Sequence, residues 1–158
     1  MACSLVQFRL HYANSLYSGM SSSNFAKLQR IQNTLDRVVT LSGKRVHITP
    51  IFKRLHWLPI RQRVEYKVSL LSYKTRQTGE PTHLSALLIE HVSTRNLRSS
   101  ERSDLEIPWT KLALASRAFS VAAPRTWNSL PTVVTSVESL TIFRKRHQTY
   151  LFNTAYKH

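Results

Sequence analysis

The sequence predicts a mainly α protein, a multi-helix chain with a small antiparallel β ribbon possible between about residues 104 and 121. Three glycines in 158 residues, of which 42% are hydrophobic, are too few for glycine-turned sandwiches or barrels. Apolar residues recur at helical spacing in several segments, and breaks rich in serine, glycine or proline separate them.

The first helix follows from Leu5, Phe8, Tyr12 and Leu16 on one face and Val6, Leu10, Ala13 and Tyr17 on another. A helix apolar nearly all round needs partners on two sides. The turn Ser18 to Ser23 leads into a second helix, expected to run to about Leu41 with Phe25, Leu28, Ile31, Leu35 and Val38 inward and to stop at Ser42-Gly43.

Val46 to Lys74 is the stretch around which the rest is arranged. Thr49 can cap a short helix opened by Pro50, because proline has no N–H to leave unpaired there. That helix is expected over residues 51–55, ahead of His56-Trp57-Leu58-Pro59. Pro59 then starts a longer helix with Ile60, Val64, Val68 and Leu71 on one face and Tyr66, Leu70 and Tyr73 on another. Its remaining strip carries Arg61, Arg63, Lys67 and Lys74, read as a cationic face, with Glu65 the one acid among them.

Beyond it, residues 78–82 form a turn and 83–89 a short helix, and residues 91–108 lose periodicity and read as a polar linker. Leu105 to Ile107, Lys111 to Leu114 and Ala118 to Val121 are the alternating segments of the ribbon. Residues 122–130 read as a helix closed by Pro131. The last helix, capped by Ser136 or Ser139, sets Leu140, Phe143, His147, Tyr150 and Leu151 on one face with Arg144, Lys145 and Arg146 beside it.

The chain holds 23 Lys and Arg against 8 Asp and Glu, a formal charge of +15. A polyanion is the expected partner, and RNA or DNA fits better than a membrane because the basic residues are spread over several elements. No apolar run approaches a membrane span. The leading MACSLVQFRLH is a poor signal peptide, so an intracellular setting, cytoplasmic or nuclear, is expected. A lone Cys3 excludes an internal disulfide.

Chemistry-bearing patterns are scarce. Seven histidines show no His-x-x-x-His spacing and one cysteine builds no zinc knuckle, so neither metal nor cofactor is expected. Asp104 and Glu106 read as solvated surface. Trp57, flanked by leucine and proline in LHWLP, and Trp127 read as core anchors, and Trp109, beside Pro108 and near Lys111, as a candidate platform for stacking on a single strand. The nucleic-acid contacts are assigned to Arg61, Arg63, Lys67, Lys74, Arg144, Lys145 and Arg146.

Five motifs in order point further. Arg9-Leu10-His11-Tyr12-Ala13-Asn14-Ser15-Leu16 is similar to R-L-D-Y-C-N-S-L, and Leu28-Gln29-Arg30-Ile31-Gln32-Asn33 to L-Q-R-[VI]-Q-N. His47-Ile48-Thr49-Pro50 matches H-I-T-P, and residues 55–63, LHWLPIRQR, resemble L-H-W-L-P-[VI]-x-x-R. Residues 117–131, RAFSVAAPRTWNSLP, follow R-[AS]-F-S-V-A-A-P-[RK]-x-W-N-S-L-P. Over roughly Arg9 to Phe152 the chain resembles the C-terminal tail of reverse transcriptases of non-LTR (LINE-type) retrotransposons. Departures are His11 for aspartate, Ala13 for cysteine and Ser116 where Gly-Asp usually precedes Arg-Ala-Phe-Ser.

The resemblance implies a thumb remnant in residues 1–42 and a post-thumb region in 43–158. The polymerase of that family works through paired aspartates holding two metal ions, and no Asp-Asp pair occurs here. The expected activity is therefore non-catalytic binding of RNA or DNA with little sequence specificity. The alternatives are a truncated retrotransposon product with no retained activity, or a protein-interaction scaffold that self-associates through its first helix.

Overall fold

The computed structural model describes residues 8–92, 104–112 and 114–157. Leu5, Val6, Cys3, most of the expected linker and Ala113 lie outside them. Seven α-helices are numbered here: α1 Ser22–Val39, α2 Ile48–Leu55, α3 Ile60–Thr78, α4 Thr82–Ser85, α5 Phe119–Asn128, α6 Thr132–Thr135 and α7 Leu140–Tyr156. The mainly α expectation holds.

The first expected helix does not run through. Residues 8–11 are helical, Ala13 then turns left-handed at φ 49°, and Asn14–Tyr17 is a 3-10 turn. Leu10 and Asn14 are buried while Phe8, Tyr12 and Leu16 are 64%, 69% and 79% exposed, so the segment buries neither of the two apolar faces expected of it in full. Gly19 follows at φ 72°, where a Cβ would lie 2.7 Å from Arg117 Cγ. Backbone shape and close approach both require glycine there.

Ser21 caps α1, accepting from the Asn24 N–H at 3.4 Å. Its inward face is not the one expected. Gln32 and Asp36 are fully buried, Phe25, Leu28 and Leu35 are half-buried, and Ile31 and Val38 are exposed. The helix also stops at Val39, ahead of Ser42-Gly43. Leu41 takes the left-handed closing position at φ 53°, with Ser42 N–H donating to Arg37 O and Leu41 N–H to Val38 O. This two-bond closure usually recruits glycine.

Helix α2 begins at Ile48 after His47, so Thr49 and Pro50 lie in its first turn and Thr49 is not the cap. Any N–H of that turn lacks an intrahelical partner, so proline is tolerated at several of its positions. His56, left-handed at φ 52°, ends it.

Helix α3 is central, packing against α1, α5, α7 and the Asn14–Tyr17 turn. Ile60, Val64 and Val68 are buried on one side and Tyr73 on the other, as the spacing predicts. Arg63 is buried as well, contrary to its place on the expected cationic strip. Ser69 and Ser72 are fully buried and turn their hydroxyls back to Glu65 O and Val68 O, which admits small polar residues to a packed helix face.

Among the described residues no strand forms. The one extended pairing is an antiparallel bridge from Glu90 to Leu105, closed by His91 N–H on Asp104 O at 3.0 Å and Glu106 N–H on Ile89 O at 2.8 Å. Residues 115–117 make a 3-10 turn and 119–121 already belong to α5. Leu105, inside the expected linker, is 1% exposed. Asn128 donates to its carbonyl at 2.8 Å and accepts from its N–H at 2.9 Å, pinning it to the core.

That core gathers Tyr73, Leu105, Trp127, Leu130, Val134, Val137 and Phe143. Tyr73 stacks on Phe143 at 4.3 Å and donates its hydroxyl to Val137 O at 2.7 Å, so one side chain joins α3 to α7 and to the connection that precedes it. A second cluster sets Val64 and Val68 against Ala123, with Tyr17, Phe25 and Phe119 at its edge. The expected face of α7 is the observed one, with Phe143, His147 and Leu151 buried. No helix among the described residues is long and apolar enough to cross a membrane.

Candidate nucleic-acid interface

The segment between α2 and α3 is an extended loop whose backbone needs partners, and side chains from three helices supply them. Gln32 on α1 donates to Leu58 O at 3.1 Å, and Arg63 Nε on α3 donates to the same carbonyl at 2.6 Å. Gln29 accepts from Ile60 N–H at 2.9 Å, and the Tyr156 hydroxyl on α7 donates to Trp57 O at 2.7 Å. Two of the motifs singled out in sequence, at residues 28–33 and 55–63, are thus the two halves of one clamp.

A cleft of about 390 Å³ opens beside this clamp. His11, Arg63 and Lys67 supply its cationic or imidazole groups, Trp57 and Tyr66 its aromatic walls, and Gln148 of α7 its far edge, with His56 at the rim. Arg63 Nη1 lies 2.7 Å from His11 Nε2, and its guanidinium sits 5.6 Å from the centre of the Trp57 ring. Tyr66 stacks on the buried His147 at 5.3 Å.

Burial dominates the titrations here. It lowers the His11 pKa, and the neighbouring Arg63 and Lys67 lower it further, so His11 is a neutral imidazole at pH 7. Burial also lowers the Arg63 pKa, opposed by Asp36 and Tyr156. Asp36, with both carboxylate oxygens buried and unbonded, is pushed up to about 6, opposed by Arg63 and Arg37. Burial raises the Tyr156 phenol strongly and the Tyr66 phenol more mildly, the latter opposed by Arg144. His147, with neither ring nitrogen hydrogen-bonded, is pushed down to about 4.

The seven assigned cations separate into groups. Lys67 faces the cleft, Arg63 forms its floor, and Arg144 lies near enough to Tyr66 to act on its phenol. Lys74 is exposed two turns along α3 from Lys67. Arg61 is exposed but turned over the Phe25 ring, at 5.3 Å from its centre. Arg146 donates to Val133 O at 2.9 Å, toward α6, and Lys145 is exposed beside it. Trp109 is 79% exposed with Lys111 Nζ 5.6 Å from its centre. Trp127 is a core anchor at 4% exposure, whereas Trp57 is half-buried on the cleft wall and not in the core.

Sequence reasoning missed His11, Tyr66 and Gln148 as cleft residues. Gln148 stands one turn beyond Arg144, a spacing that was visible, but Tyr66 was read as apolar and His11 lay in a helix read as continuous. No group of three His, Cys, Asp or Glu side chains among the described residues could hold a metal ion. No protein-family model, curated protein or solved structure matches the chain.

Proposed function

We propose that this chain is a non-catalytic nucleic-acid-binding module, of the kind that its resemblance to the post-thumb tail of non-LTR reverse transcriptases suggests. RNA or DNA phosphates lie against an exposed cationic face made by Lys67 and Lys74 of α3 and Arg144 and Lys145 of α7. The observation that carries the reading is the side-by-side packing of α3 and α7, through Tyr66 on His147, which brings Arg144 close enough to act on Tyr66 beside the cleft that Lys67 lines, in a chain of net charge +15. Phosphate contacts release condensed counterions, so log affinity falls linearly with log salt, by about 0.7 to 0.9 per phosphate neutralised. Fluorescence-anisotropy titrations of labelled RNA and DNA at several salt concentrations test this. Reversing Lys67, Lys74 and Arg144 to Glu should flatten the slope with an unchanged circular-dichroism spectrum. An unchanged slope removes this face, and binding no stronger than to a neutral control protein removes the function.

One observation favours a second reading, a protein-interaction scaffold. Phe8 and Tyr12 form an exposed aromatic pair, their ring centres 6.1 Å apart, and Leu16 is exposed beyond the break at Ala13. A second copy of the chain is the occupant that reading requires.

A further inference from the structure

We infer that the cleft between α3 and α7 is a receptor for one unstacked nucleotide of a single strand, so the module prefers single-stranded to duplex nucleic acid. This rests on the nucleic-acid reading above and goes beyond it, because an outer cationic face alone binds phosphates of either form. At about 390 Å³ the cleft is within the size range of small-molecule pockets. Its walls divide by chemistry. Arg63 and Lys67 offer cationic donors, with His11 bonded to the guanidinium, while Trp57 and Tyr66 offer rings.

Both rings have a fixed neighbour. The Arg63 guanidinium lies 5.6 Å from the centre of Trp57 and His147 stacks on Tyr66, which orders each ring before a base arrives. Arg63 is itself fixed through Nε on Leu58 O and Nη1 on His11, and no carboxylate among the described residues comes within ion-pairing distance of it. Arg63, 8% exposed as a residue and within the field of Asp36 but not ion-paired to it, has donors left for a ligand anion. A base stacked within a duplex cannot enter such a concavity, whereas one splayed from a single strand can, its phosphate then lying on Lys67 and Arg63.

The test compares a labelled single strand of about twelve nucleotides with a duplex of equal length, a size chosen from the usual span of single-strand sites. The proteins are the wild type, His11→Ala and Tyr66→Leu, chosen because Arg63 variants would loosen the clamp. Loss of one base–aromatic stack should weaken single-strand binding by about five- to a hundredfold in Tyr66→Leu, with a smaller loss in His11→Ala and duplex binding changed less than about twofold. In a Trp109→Phe background, adenosine 5′-monophosphate should quench tryptophan fluorescence saturably, and adding Trp57→Phe should abolish that quenching. Ribose 5-phosphate in place of the nucleotide separates a base receptor from a bare phosphate site and should give no quenching. Equal losses on single strand and duplex, or quenching that survives Trp57→Phe, would overturn the receptor while leaving the cationic face standing. Absence of binding to either strand form would remove both.

Discussion

Gln32 and Arg63 donate to one carbonyl, that of Leu58, from two different helices, at 3.1 and 2.6 Å. Both are buried, Gln32 completely. The loop that carries Trp57 is therefore positioned by polar contacts as well as by the burial of Leu58. Removing the amide leaves Leu58 O bonded to Arg63 but deprives the interior of its fit. Gln32→Ala should cost about 1–3 kcal/mol, the usual range for a buried hydrogen bond and its desolvated remnant. Gln32→Ala combined with Arg63→Lys should be non-additive in urea denaturation, since the two share an acceptor. Strict additivity would mean that the clamp does not act as a unit.

Leu41 offers the opposite kind of change. It is 92% exposed, buries nothing, and sits at φ 53° in the closing turn of α1. A left-handed backbone costs an L-residue about 1–2 kcal/mol, and glycine escapes most of that. Leu41→Gly should stabilise the fold by about 1 kcal/mol and raise the melting temperature by about 2–4 °C. A lower melting temperature would show that the turn is not left-handed in solution.

Asp36 and His147 contribute to the pH dependence with opposite signs. Asp36 has a folded pKa of about 6 against an ordinary 3.8, so the native state binds its proton more tightly than the unfolded chain. Its stabilising contribution is full below 3.8, falls as pH rises, and is lost above about 6. His147 has a folded pKa of about 4 against 6.5, so the unfolded chain takes the proton first and stability falls as pH drops from 6.5 toward 4. Asp36→Asn should then stabilise at pH 7.5 by about 1–3 kcal/mol and have little effect near pH 3.5. His147→Phe, which keeps a ring between Tyr66 and Phe143, should gain on the wild type as pH falls from 6.5 to 4. Parallel stability curves for wild type and Asp36→Asn would contradict the assignment.

The legible part of the fold was the part built on apolar spacing. Ile60, Val64, Val68 and Tyr73 of α3 and Phe143, His147 and Leu151 of α7 are buried where the 3.6-residue period puts them. Helix α1 was misread because its interior is polar. Gln32 and Asp36 face inward, and period reasoning assigned their places to Ile31 and Val38. For the same reason Arg63 was counted as solvated. Its burial depends on Leu58 O and His11, and the former is a backbone group that no side-chain pattern reveals. Leu105 looked like linker because a single core residue in a polar stretch has no periodicity, and its partner Asn128 is distant in the chain. The candidate site was half legible. Cationic residues on α3 and α7 were visible in sequence, but the approach of Arg144 to Tyr66 beside the cleft depends on the packing of Tyr66 against His147.

The exposed apolar side chains lead to the last prediction. Phe8, Tyr12 and Leu16 are exposed on a segment that also buries Leu10 and Asn14. Exposed apolar side chains gathered on a surface mark an interaction site or an aggregation liability. Net charge of +15 opposes association of copies at low salt, and that repulsion is screened as ionic strength rises. Self-association at tens of micromolar should therefore strengthen with added salt, opposite to the salt dependence of nucleic-acid binding. Substituting Phe8, Tyr12 and Leu16 by Gln should abolish it without changing the helical circular-dichroism signal, because none of the three side chains contributes to the core. Sedimentation velocity at two salt concentrations reads both effects. A wild type that stays monomeric at high salt would remove the second copy as the occupant of this surface.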